Sequence, residues 1–433
     1  MARSDGLRVV VTGLIAQHPA LGGVAWDYVQ YLTGLTRLGH DVYYLEDSGQ
    51  WPYRLEAEGT SREAWVADDP SANLRHLTEV LSAFGIQDRW AYRFPVTGEW
   101  FGLTELARSE VIGSADLILN VSGCLERPEE YRKSGRLVYL DGDPVFTQLR
   151  LAANPLELGL PADEASKERE FAARVEAHDD HFSFGEAFSS DVPQTNYRWR
   201  PTRQPVTLED WEPVEDARDA FTTVMNWTSY RPLRFRGRVY GQKDLSMRPY
   251  LDLPSRLRPG ILELALNNIH HTSWEATDEE AGSQEADSST VQLSPPGALR
   301  RAGWAIQDAT TVCRDLDGYR DYLRCSKGEW SVAKHGYVVG QPGWFSGRSA
   351  CYLAAGRPVI VQSTGFEGVL PVGEGILSFS TPGEAEAALS EADGNWERHA
   401  RAAREIAAEY FDARMVLRDL IADVFSSVAE VSP

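Results

Sequence analysis

Ser346-Gly347-Arg348-Ser349 stands at the head of GWFSGRSACYLAAGRPVIVQSTGFEGVLP, residues 343 to 371. The apolar run behind it has helical spacing and stops at Gly356. Arg357-Pro358 then leads into the strand-like Val359-Ile360-Val361-Gln362 and a glycine turn at Gly365-Phe366. A helix that starts near Ser346 presents unpaired N–H groups and the positive end of its dipole. Gly347 permits close backbone approach, Ser346 and Ser349 add hydroxyls, and Arg348 adds a fixed cation. Together these suit a diphosphate. The same residues also read as an N-cap and a solvated arginine. The balance tips toward an anion site through Gly365-Phe366 on the neighbouring loop and Lys334-His335 at the end of the preceding strand.

Lysine is scarce: of 43 basic residues only Lys133, Lys167, Lys243, Lys327 and Lys334 are lysines. A compact point charge at 243 or 334 therefore stands out. Lys243, in YGQKD, and Asn226, at the end of the run FTTVMNW, are placed to touch the same ligand from its other side. Trp227 reads either as a stacking ring or as core.

Three candidates for a general base lie at strand ends or on the helix that follows. They are His18 in AQHPALGG, Asp27 in AWDYVQY and Asp143 in YLDGDPVF, with Asp141 and Glu186 behind them. Each has a plain reading too: loop histidine, favourable charge on a first helical turn, turn former. His178, Asp179, Asp180 and His181 are metal-ligand types, but strand neighbours face opposite ways, so no metal site is expected.

These residues need a frame of strands. Runs at 7–15, 40–46, 115–123, 136–143 and 180–186 predict strands, with helices over 24–39 and 71–85 between them, the rhythm of a parallel α/β sheet. A second such rhythm follows, with strands at 221–227, 260–267, 303–309, 329–338, 357–363 and 375–381 and a helical end. The organisation predicted is one α/β domain over 1–203, a linker over 204–219, a second α/β domain over 220–400, and helices over 401–433. Residues 271–297, acidic and serine-rich, read as a mobile loop.

The 433 residues, 42% hydrophobic and 25% charged, support sizeable cores. A net charge of −21 disfavours nucleic acid as a partner, no apolar run is long enough to span a membrane, and the N-terminus leads straight into a core strand. The four cysteines show neither metal nor disulfide spacing, so a cytoplasmic setting is expected.

Ala354-Ala355-Gly356-Arg357-Pro358-Val359 followed by Thr364-Gly365-Phe366 resembles the donor-domain signature of GT-B glycosyltransferases of the family-4-like group. The Gly22-Gly23 loop, the segment LTRLGHDV at 35–42 and the ending AAEYFDARMVLRDLI agree with it. The resemblance implies two Rossmann-like domains facing a cleft, with final helices crossing back. It also implies a nucleotide-diphosphate sugar bound without cofactor or metal, and a small-molecule or glycan acceptor. Retaining members carry two glutamates where this chain has Gly343 and Cys351, so their mechanism does not transfer. An epimerase on the same scaffold, or a catalytically silent nucleotide-sugar-binding protein, are the alternatives.

Overall fold

The computed structural model describes residues 6–19, 21–54, 65–133, 135–161, 164–215, 217–267 and 295–429. Lobe one is built on strands β1 (Arg8–Thr12), β2 (Asp41–Glu46), β3 (Trp90–Arg93), β4 (Trp100–Gly102), β5 (Leu117–Val121), β6 (Arg136–Asp141), β7 (Asp180–Ser183) and β8 (Trp199–Pro201). They form one sheet in the order β4-β3-β2-β1-β5-β6-β7-β8, parallel except for the β3–β4 pair. Its central strands are buried on both faces, as parallel strands under helices must be, which is why they read as unbroken Val/Leu runs.

Lobe two has β9 (Phe221–Asn226), the hairpin β10 (Leu233–Phe235) and β11 (Arg238–Tyr240), then β12 (Leu262–Asn267), β13 (Ala305–Asp308), β14 (Gly328–Ser331), β15 (Val359–Gln362) and β16 (Ile376–Phe379). Apart from the hairpin, these form a parallel sheet in the order β13-β12-β9-β14-β15-β16. Chain direction across it reverses between β9 and β14, and in lobe one between β1 and β5. At such switch points, outside the carboxyl ends of the strands, open α/β sheets leave a crevice.

Several elements differ from the sequence reading. The run 329–338 is not one strand: β14 stops at Ser331, and Lys334 precedes a short helix, His335–Gly340. A Cβ at Gly336 would overlap the Phe146 ring of lobe one, and one at Gly340 would lie 2.6 Å from Val145, so the glycines let this helix press on the other lobe. The first strand ends at Thr12 rather than 15, and at Gly13 the Tyr28 and Tyr44 rings pack so close that a Cβ would meet them within 2.8 Å. Strands β3, β4, β8, β10 and β11 were not foreseen; each has three or four residues, too few to show a period. Pro201 sits in the edge strand β8, where its missing N–H costs nothing. Of the acidic stretch 271–297, residues 271–294 lie outside the described residues, while 295–297 begin the helix Pro295–Arg301.

The lobes share one hydrophobic cluster that runs from Val9 and Leu32 through Trp211 to Tyr319, Cys351 and Leu353. Trp26, on the helix Gly22–Arg37, lies 4.9 Å from the Trp211 ring and donates its indole N–H to Leu316 O at 2.9 Å. The last helix, Ala413–Ala429, returns to lobe one. Leu417 is buried there, and a Cβ at Gly34 would come within 2.6 Å of it. Among the described residues no helix is long and apolar enough to cross a membrane.

Candidate active site

The helix Gly347–Ala354 starts at the junction of the lobes. Its first-turn N–H groups have no partners within the helix. Gln204, from the segment joining the lobes, packs beside Gly347: a Cβ there would be 2.9 Å from its Cγ. The same Gln204 donates Nε2–H to the backbone oxygen of Asp27 at 2.9 Å. The tip and Asp27 are thus tied to one side chain, across the crevice.

Arg348 does not project as a free cation. Its guanidinium turns into the switch point of sheet two and bonds Glu329 Oε1 at 2.6 Å, Val224 O of β9 at 2.7 Å and Ser331 Oγ of β14 at 3.0 Å. Glu329 is fully buried, and its other oxygen has no hydrogen-bond partner. The Glu329 carboxylate therefore holds Arg348. Breaking such a pair strands a buried charge, so Glu329→Ala is expected to lower stability by about 3–5 kcal/mol, read in urea unfolding.

The open cation is Lys243. It starts the helix Lys243–Met247 and, among the described residues, its ammonium has no hydrogen bond or ion pair. Burial pushes its pKa well below that of an ordinary lysine. The charges of Arg348 and Lys334 push the same way, against the pull of Glu329. Beside the helix tip, Ser349 Oγ is buried and unbonded. Ser346, Ser349, Ser331 and Gln362 line a narrow pocket with Phe366 at its wall.

Asp27 faces this group from lobe one. It is open to solvent in the crevice, yet walled in: its charge acts on Tyr319 and Cys351 of lobe two. The protein packed around it raises its carboxyl pKa to about 7, with Arg348 pulling the other way. Asp27, Lys243, Arg348, Ser346, Gly347 and Ser349 are therefore brought together.

The other candidates meet other surroundings. Asp143 accepts from Lys334 Nζ at 2.9 Å and from the hydroxyls of Tyr230 and Tyr337, a latch between lobes that occupies both its oxygens and the Lys334 ammonium. His335 N donates to Gln242 O, next to Lys243. His18 packs on Tyr53 with ring centroids 5.0 Å apart, and burial lowers its pKa to about 4, so the ring is neutral near pH 7. Fully buried Glu46 accepts from the N–H groups of Ala16 and Gln17, each at 2.8 Å, and fixes the loop that carries His18. Gly22 and Gly23 approach lobe two rather than a ligand: side chains there would run into Asp315 and Tyr319. Gly365 has φ 87°, and Phe366 is core, 5.3 Å from Phe345. Asn226 ends β9, exposed, while Trp227 is buried in the outer core of lobe two. Asp141 is locked by Thr147, Gln148 and Ser183, and Glu186 pairs with Arg203 at 2.6 Å. Asp180 pairs with Arg136 and Arg200, and no described group of His, Cys, Asp and Glu could hold a metal ion.

Sequence reasoning missed Gln204 and the latch tyrosines, whose roles come from contacts between distant segments with no local signal. The two positions without glutamate have a physical reading. Gly343 has φ 75° and a Cβ there would be 2.6 Å from Ala187 N, and Cys351 is buried facing Gln30 of lobe one.

Solved structures share this fold over nearly the whole chain. An α-glucosyltransferase in complex with UDP-glucose and DNA containing an abasic site is similar with a TM-score of 0.55 at 12% identity, covering 97% of this chain and 100% of that one. The chain has the GT-B fold. Anabaena Alr3699/HepE, in complex with UDP and glucose, is similar with a TM-score of 0.52 at 11% identity, over 97% of this chain and 100% of its own. No family model matches the chain, and no curated protein does. In the GT-B fold described here, the two switch points and their loops form the facing walls of the crevice.

Proposed function

We propose that the chain is a glycosyltransferase. It takes a sugar from a nucleotide-diphosphate sugar held on lobe two and passes it to the hydroxyl of a small-molecule or glycan acceptor on lobe one. The observation that carries this reading is Lys243. Its ammonium is unpartnered among the described residues and sits among like charges, one of which, Arg348, also acts on Asp27. A desolvated cation in such company is costly until an anion arrives. A diphosphate supplies that anion, with the N–H groups at the tip of Gly347–Ala354 completing its cradle.

In the proposed step the Asp27 carboxylate takes the acceptor's hydroxyl proton. The acceptor oxygen bonds to the anomeric carbon, and the bond from that carbon to the diphosphate oxygen breaks. The electron pair leaves with the diphosphate, where Lys243 and the helix tip meet the charge, so the reaction needs no added metal. A base with a pKa near 7 suits this task. Solved proteins of similar fold contain UDP, which makes UDP and its sugars the first probes. One of them also contains DNA, but a net charge of −21 argues against a nucleic-acid acceptor here.

The test is UDP release from UDP-sugars in the presence of acceptor mixtures and EDTA. Acceptor-dependent release is the expected outcome. Interconversion of the donor sugar without acceptor points to an epimerase. A melting shift with UDP but no turnover in any mixture points to a silent binding protein.

A further inference from the structure

Lobe one has a second recess, a cavity of about 630 Å3, of the size that holds a small ligand. It opens past the carboxyl ends of β2, β3 and β5, so it belongs to the same edge of the sheet as the crevice. Its walls bear three guanidiniums, of Arg93, Arg127 and Arg174, and four carboxylates, of Asp47, Glu126, Glu129 and Glu170, with no aromatic ring.

Where these charges pair with one another, they do so at ion-pair distance and not by hydrogen bonds. Asp47 is 2% exposed and accepts from the Tyr131 hydroxyl at 2.6 Å, but Arg93 stays 3.8 Å away, beyond hydrogen-bond range. Arg127 reaches Glu130 at 2.7 Å, while its Nε, 3.8 Å from Glu126, is buried without an acceptor. Burial raises the Asp47 pKa, against the hydrogen bond from Tyr131.

An anion entering here meets four carboxylates, and a cation meets three guanidiniums. A hydroxyl donates to the first and accepts from the second, so a ligand carrying many hydroxyls and no charge fits both walls. The absence of a ring in the lining leaves recognition to hydrogen bonds rather than stacking.

We propose that this cavity binds an uncharged carbohydrate, the part of the acceptor remote from its reacting hydroxyl. The binding site stands on the cavity alone; its assignment to the acceptor rests on the transferase reading.

Saturation-transfer NMR on the full chain tests it. The neutral probes are glucose, mannose, maltotriose and cellotriose, the charged ones glucosamine and glucuronate, and UDP is titrated in parallel. At least one neutral sugar is expected to receive saturation and to bind ahead of both charged ones. Its affinity should fall roughly tenfold or more in Arg174→Ala/Glu170→Ala, the loss of one hydrogen bond to a guanidinium and one to a carboxylate. The melting temperature and UDP affinity of that variant should match those of the parent. No saturation of any neutral sugar, equal binding by the variant, or preference for a charged probe overturns the proposal. Failure of UDP to bind overturns the donor site instead, and leaves the sugar result to decide the cavity.

Discussion

Asp27→Asn is expected to cut acceptor-dependent turnover by roughly 100- to 10,000-fold, the range for loss of a general base, while UDP binds as before. The amide keeps the size of the side chain and its backbone link to Gln204, so the crevice is preserved. Because the parent carboxyl has a pKa of about 7, its rate should fall about tenfold per unit as pH drops below that value, where the base is protonated. That limb should vanish in the variant. Glu46 also has a pKa raised to about 7 by burial, but it serves the loop at Ala16 and Gln17, and it is present in both proteins. A pH limb that persists in Asp27→Asn belongs to Glu46. A larger loss in His18→Ala than in Asp27→Asn moves the base to His18.

Lys243→Ala is expected to weaken UDP by about 1.5–3 kcal/mol, roughly 10- to 150-fold, since it removes a charge-assisted bond to a phosphate oxygen. The apo protein should melt at the same temperature as the parent or higher. A structural lysine would behave otherwise, because replacing it would strip a partner, whereas Lys243 has none among the described residues and faces two like charges. Loss of stability together with unchanged UDP affinity would make Lys243 a fold element. The measurements are calorimetric titration and thermal unfolding on the same preparations. Stability given up for a site of this kind is a familiar trade in proteins.

The parts of this site legible in the sequence are those written locally. The helix over 347–354, strand β15 and the turn at Gly365 follow from an apolar period bounded by glycines, and they lie where that pattern puts them. Lys243 stood out through the scarcity of lysine alone. The direction in which Arg348 points was not legible. Its partner Glu329 lies 19 residues away on β14, and only the packing of the sheet decides that the guanidinium turns inward. Gly22 and Gly23 carry the spacing of a ligand loop but serve contact between the lobes, a use that sequence spacing does not separate from the first. Lys334 was read as a strand end because Val332 and Ala333 continue the apolar run, yet both precede a helix. Asp143 looked like a free base because its three donors, Tyr230, Lys334 and Tyr337, all come from the other lobe.

A structure of the protein with UDP tests the central claim most directly. The account predicts the diphosphate within hydrogen-bond distance of Lys243 Nζ and of the N–H groups at the start of Gly347–Ala354, with the uridine on lobe two and Asp27 across the crevice from the terminal phosphate. Nucleotide bound anywhere else, or a crevice that stays empty at saturating UDP, would contradict it.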